Sequence, residues 1–146
     1  MTAHAAFDAE LATCRKCAGH LASIPVDPTT SARCVEPRPI VSGIRNKPIL
    51  LIGQAPGITE YESGKPFQGQ AGQKIREIFR EAGVADFDAC VYSSAVVKCY
   101  PGRKLRKSGD PSSKAEDRVP SAEMIRNCRP FLERQVSLVD PKVIVT

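Results

Sequence analysis

The chain of 146 residues carries 21 Lys+Arg against 16 Asp+Glu, a formal charge of +5, with 42% apolar residues, which suits one domain with an adequate core. Its longest aliphatic run, residues 49–52, falls far short of the roughly 20 apolar residues that cross a bilayer, so no membrane partner is expected. Asp8 and Glu10 interrupt the first residues, which do not read as a secretory leader; the expectation is a cytoplasmic protein whose six cysteines are thiols or metal ligands rather than a disulfide framework.

In chain order, residues 7–13 read as a short helix ending at the Cys14/Cys17 pair, and residues 25–48 as a proline-rich wrapping segment. The aliphatic run 49–52, stopped by Gly53, suits a strand buried on both faces of a parallel sheet. Five glycines and two prolines between residues 53 and 72 predict a long ordered loop at the carboxyl end of that strand, where α/β proteins place their sites. Ile75, Ile78, Phe79 and Ala82 fall at i, i+3, i+4 and i+7 before Gly83, predicting a helix over 71–82. Residues 91–97 read as the next strand, with Cys90 as a small apolar residue at its start. Residues 100–119 read as a basic insertion loop. Ser121 caps a helix whose apolar face is Met124, Ile125, Cys128, Phe131 and Leu132, with Pro130 expected to kink or restart it. Residues 143–145 are a last aliphatic strand. The fold class is α/β.

Three constellations carry chemistry. Cys14 and Cys17 stand three residues apart, a spacing that binds one metal or cluster from a single turn. Two ordinary cysteines or a redox dithiol are the alternatives, and Cys99 and Cys128 are the distant partners, with Cys34 ambiguous. The second is Gly53, Gln54, Ala55, Pro56 and Gly57, followed by Gly64-Lys65-Pro66-Phe67 and Gly69-Gln70-Ala71-Gly72. Small residues after a strand let backbone amides approach a ligand. A P-loop fails on spacing, since six residues separate Gly57 from Gly64 and Pro66 follows Lys65. Phe67 needs a surface to stack on. The third is charge: Lys98, Arg103, Lys104, Arg106 and Lys107 give five cations and no acid within residues 98–107, a pattern that suits a phosphate backbone.

These residues resemble the uracil-DNA glycosylase superfamily, nearest to its iron-sulfur branches, families four and five. Residues 53–57, Glu60 and 64–72 resemble the first motif block; Val96-Val97-Lys98-Cys99, Cys128-Arg129-Pro130-Phe131-Leu132 and Pro141-Lys142-Val143-Ile144-Val145 resemble later ones. The resemblance implies a three-layer α/β/α domain with a central, mainly parallel sheet. It implies a monomer that removes uracil, or another deaminated base, from DNA by flipping the nucleotide and letting water replace the base at C1′. Cys14, Cys17, Cys99 and Cys128 would hold a structural 4Fe-4S cluster, with zinc as the chemical alternative. Phe67 would stack on the base, and the backbone around Gln54 would meet its carbonyl.

The chain departs from that pattern in three places. Family four carries Glu where Gln54 stands, and an amide cannot serve as a carboxylate base, so Gln54 is a weak catalytic candidate. The Asn that reads the uracil edge is Ala95, as in the broader-specificity fifth family. No His-Pro-Ser motif occurs, and His4 and His20 are the only histidines, so residues 1–146 read as one such domain lacking its C-terminal part. The 28 residues between Cys99 and Cys128 resemble the insertion of relatives that trap uracil through a histidine, but this insertion has none. A non-catalytic iron-sulfur DNA-binding module on the same scaffold is the alternative expectation.

Overall fold

Every position in the run Ile-Leu-Leu-Ile is apolar, and a strand of that kind needs cover on both faces. In the computed structural model, which describes residues 1–40 and 42–146, it has that cover. Residue 41, inside the expected wrapping segment, lies outside the described residues. The elements run α1 (Ala3–Ala12), α2 (Ala18–Leu21), β1 (Ile49–Gly53), α3 (Ile58–Ser63), α4 (Gln70–Glu81), α5 (Phe87–Cys90), β2 (Val91–Ala95), β3 (Arg103–Leu105), β4 (Ala115–Asp117), α6 (Ala122–Val139) and β5 (Val143–Val145).

Strand β1 is central, parallel to β2 on one side and to β5 on the other, in the order β2-β1-β5. The register pairs Leu50 with Tyr92 and Gly53 with Ala95. Because side chains alternate across a strand, Leu50 and Tyr92 pack with Phe7 and Leu11 of α1 and Phe131 and Val139 of α6. Leu51 and Val91 pack on the opposite side with Phe79 of α4 and Phe87 of α5. Helices thus cover both faces, the three-layer α/β/α arrangement expected from the sequence. Full burial of each large apolar side chain contributes about 1.5–3 kcal/mol. Among the described residues no helix is long and apolar enough to cross a membrane.

Three expectations need correction. Helix α6 runs unbroken through Pro130. Pro130 and Arg126 both lie on the exposed face, where solvent can replace the hydrogen bond that the Arg126 carbonyl loses. Cys90 closes α5 rather than opening β2. The insertion is no unstructured loop, because β3 and β4 pair antiparallel with Arg103 opposite Asp117 and Lys104 opposite Glu116.

Inside the sheet's α6 face, Ser94 donates to Gln135 Oε1 and Gln135 Nε2 donates to the Tyr92 hydroxyl at 3.1 Å. This satisfied polar chain locks α6 to β2 just below the strand's carboxyl end.

Candidate nucleotide-binding site and thiol cluster

A cavity of about 790 Å³ opens where β1 and β2 end, the position at which parallel sheets carry ligands. Its floor is Gly53 to Gly57 with Ser94 and Ala95, and its walls include Phe67, Gly69 to Gly72 and the hairpin residues Arg103, Asp117 and Arg118. The β1 turn is pinned, since Val96 N–H donates to the Gly53 carbonyl at 2.8 Å and Val97 N–H to that of Gln54 at 3.1 Å.

Phe67 reaches the cavity at a cost. Its φ is 51°, a left-handed conformation that costs a non-glycine residue about 1–2 kcal/mol. The ring lies on the backbone of Gly53, where an added β-carbon would stand 3.1 Å from Phe67 Cζ. Two contacts hold this strained loop. Gly72, in the first turn of α4, lets the Phe67 carbonyl approach so closely that a β-carbon there would lie 2.1 Å from it. Glu60 of α3 accepts from Gly57 N–H at 3.1 Å through Oε2, and from Gln68 and Gly69 N–H at 3.1 and 3.0 Å through Oε1. One carboxylate therefore ties both ends of the 57–69 segment together.

Three of the five cations of this segment are held in ion pairs. Lys98 is fully buried, and its ammonium donates to the Ala95 carbonyl; burial lowers its pKa to about 8. The expectation that Lys98 faces a phosphate backbone does not hold. Arg103 pairs with Asp117 at 2.7 Å and with Asp27 at 3.3 Å, while Lys104 and Arg106 pair with Glu116 at 3.8 and 3.4 Å. Lys107 is exposed and has no acidic partner among the described residues. Arg118, which the sequence reading passed over, sits at the cavity, with Nε on the Arg103 carbonyl at 3.2 Å. The signal for the hairpin pairing was present as Arg-Lys-Leu facing Ala-Glu-Asp, opposite charges at cross-strand spacing.

Four of the six thiols gather behind the cavity. Cys17, Cys99 and Cys128 are buried in one apolar cluster with Val97 and Tyr100. Burial raises the Cys99 pKa to about 12, with Cys128, Cys17 and Cys14 reinforcing it by like charge. Cys128 is raised by burial too, with Cys17 and Cys14 adding to it and the Lys98 backbone N–H opposing. Cys17 Sγ accepts from Asn127 Nδ2, and Cys128 Sγ from Lys98 N–H, each at 3.5 Å. Cys34 stands apart in an isolated bridge with Pro25, and Cys90 packs on the α4/α5 side of the sheet. Among the described residues no three His, Cys, Asp or Glu side chains are drawn in tightly enough to hold a single metal ion. By chemistry alone, thiols that accept N–H groups, as Cys17 and Cys128 do, are the donor type that cysteine-ligated clusters use.

A family model described as the uracil DNA glycosylase superfamily matches residues 41–146. The chain belongs to that superfamily. Relatives of the uracil DNA glycosylase superfamily include a type-4 uracil-DNA glycosylase of Pyrobaculum aerophilum, 33% identical over 97 residues, covering 66% of this chain and 42% of the relative. A type-4 enzyme of Thermotoga maritima is 35% identical over 97 residues, covering 66% and 43%. One of Archaeoglobus fulgidus is 29% identical over 136 residues, covering 93% and 55%. The chain thus spans about half, or less, of the length of these relatives. The superfamily match covers every cavity residue from Gly53 to Val119; Cys14 and Cys17 lie outside it.

Proposed function

We propose that this chain provides the base-binding core of a DNA-repair glycosylase that hydrolyses the N-glycosidic bond of uracil, or of a related deaminated base, in DNA. The observation that carries this reading is Phe67, held at positive φ over Gly53 in a cavity at the ends of β1 and β2. A strained aromatic at such a place is suited to stack on a base turned out of the helix. The geometry supports Gln54 and its neighbours as contacts for the base carbonyl, where backbone donors stabilise uracil as it leaves with negative charge. Ala95, opposite Gly53 in the register, offers no side-chain amide to read the uracil edge, which favours a broader range of deaminated bases. Arg118 and Lys107 supply free cations for phosphate contact, with the ion pairs of Lys104 and Arg106 available to open on binding.

Residues 1–146 act as one unit in this reading, a monomer on its DNA. Cys14, Cys17, Cys99 and Cys128 would hold a 4Fe-4S cluster, which supplies a rigid cross-link between the N-terminal turn, the β2 exit and α6. Lys98 joins that cross-link to the cavity, since its amide donates to Cys128 and its ammonium to Ala95. The test is incubation of the full-length protein with single strands containing uracil, hypoxanthine or xanthine, followed by cleavage of abasic sites. Abasic product from at least one, abolished in Phe67→Ala, is the expected result. Salt-sensitive DNA binding with no base release from any of the three would instead establish a non-catalytic module.

A further inference from the structure

The reaction proposed above needs a group that activates water and balances a cationic sugar, and Gln54 carries no charge for either task. Two carboxylates line the cavity, Glu60 and Asp117. Glu60 is committed, because both of its oxygens accept backbone N–H groups of the loop. Asp117, the last residue of β4, is not. Its Oδ1 accepts from Arg103 Nε at 2.7 Å, and Arg103 is itself steadied by Asp27. Asp27 is in turn fixed by the Thr29 amide and hydroxyl at 2.9 and 2.6 Å. The second oxygen, Oδ2, points over the β1 turn, 2.8 Å from where a β-carbon on Gly57 would stand. A glycine at 57 is what leaves room for it.

We infer that Asp117 is the catalytic carboxylate of this chain, delivered by the inserted hairpin in place of the acid missing at position 54. Resting on the glycosylase reading, the step runs as follows. Water bonds through oxygen to C1′ while the C1′–N1 bond breaks, and the bonding pair leaves on the uracil ring. One proton of that water passes to Asp117 Oδ2 and then to the departed base anion or to solvent. The Arg103 contact keeps Asp117 aimed, in the way a buried partner orients a catalytic base. Arg103 is therefore a positioning residue, and its charge serves the carboxylate before it serves DNA.

The experiment compares full-length wild type, Asp117→Asn and Asp117→Ala in single-turnover base release from a uracil-containing strand, with DNA affinity measured separately. Asp117→Asn keeps an oxygen for Arg103 and so keeps the hairpin in place. The expected loss in rate is about 100-fold or more, the range of a general base, with affinity for DNA held within about threefold. Formate, a small carboxylate that fits the space left by the truncation, is expected to raise the rate of Asp117→Ala and leave wild type unaffected. Rates for Asp117→Asn within about fivefold of wild type, far less than a general base contributes, would overturn the assignment; so would a rate loss matched by lost affinity, or no response to formate. A wild type that releases no base overturns the glycosylase reading and this inference together, whereas an active wild type with an active Asp117→Asn overturns this inference alone.

Discussion

One methyl group at Gly72 tests how the cavity is held. Gly72 is buried in the first turn of α4, and a β-carbon there would lie 2.1 Å from the Phe67 carbonyl oxygen and 2.3 Å from its carbon. Carbon and oxygen meet comfortably at about 3.3–3.6 Å, so the 66–69 segment must retreat by about 1 Å. Two effects of Gly72→Ala oppose each other. Alanine gains about 0.5–1 kcal/mol in a helix interior, while overpacking costs about 1–3 kcal/mol. The obstacle here is backbone already in a left-handed conformation at Phe67, not the end of a flexible side chain. The upper part of the cost applies, and the net expectation is a loss of about 1–2 kcal/mol, or about 2–8 °C in Tm for a domain near this size. Base release should fall further than stability, because a 1 Å displacement of a substrate-positioning group costs about 100-fold. Thermal melts and single-turnover assays of full-length wild type and G72A measure both. A variant that melts at or above wild type and releases base within about threefold, well short of the positioning loss, would refute the claim that this contact holds Phe67.

Glu60→Gln exchanges one accepting oxygen for an NH2 group that faces a backbone donor, so at least one of three charge-assisted hydrogen bonds is lost. The expected cost is about 1.5–3 kcal/mol, read as a lower urea midpoint, and an unchanged midpoint would show that the 57–69 segment is held by other contacts. Tyr92→Phe tests the buried polar chain through pH: burial raises the Tyr92 pKa from 10.0 to about 12, with the Gln135 hydrogen bond opposing. Between those values the unfolded chain has released a proton that the folded chain retains, so stability falls as pH rises, by up to about 2.7 kcal/mol at 1.36 kcal/mol per pKa unit. Wild type should therefore lose more stability than Y92F between about pH 8 and pH 11, although Y92F starts lower by about 1–3 kcal/mol because Gln135 loses a partner; equal losses on the two proteins would contradict the assignment.

The elements that were legible in the sequence are those whose signal is local. Four consecutive aliphatic residues define β1, and apolar spacing with a following glycine defines α4; both hold to within a residue of their expected ends. The floor of the cavity was legible for the same reason, since a glycine-rich turn after a buried strand has few other uses. The misreadings come from tertiary context. Pro130 leaves α6 intact because it faces water. Lys98 looked like part of a basic surface because it precedes Arg103 and Lys104 in the chain, yet the chain turns it inward onto the Ala95 carbonyl. Glu60 is a surface-like helix residue until Gln68 and Gly69 fold back onto it.

The hairpin shows most clearly how pairing changes a functional reading. Counted along the chain, residues 98–107 hold five cations, and the natural inference is a phosphate-binding loop. Counted across the ladder, Arg103 faces Asp117 and Lys104 faces Glu116, so part of that charge is tied up within the hairpin, although residues 103–118 still hold six cations against three acids. Exposed pairs of this kind contribute about 0–1 kcal/mol to stability, too little to explain the hairpin by stability alone. What the pairing does achieve is directional: it brings a carboxylate and Arg118 to the mouth of the cavity from a segment about 60 residues after the β1 turn. An insertion that only bound phosphates would gain by leaving Arg103 free. One that delivers Asp117 to the cavity requires Arg103 to be occupied, and the structure shows it occupied twice.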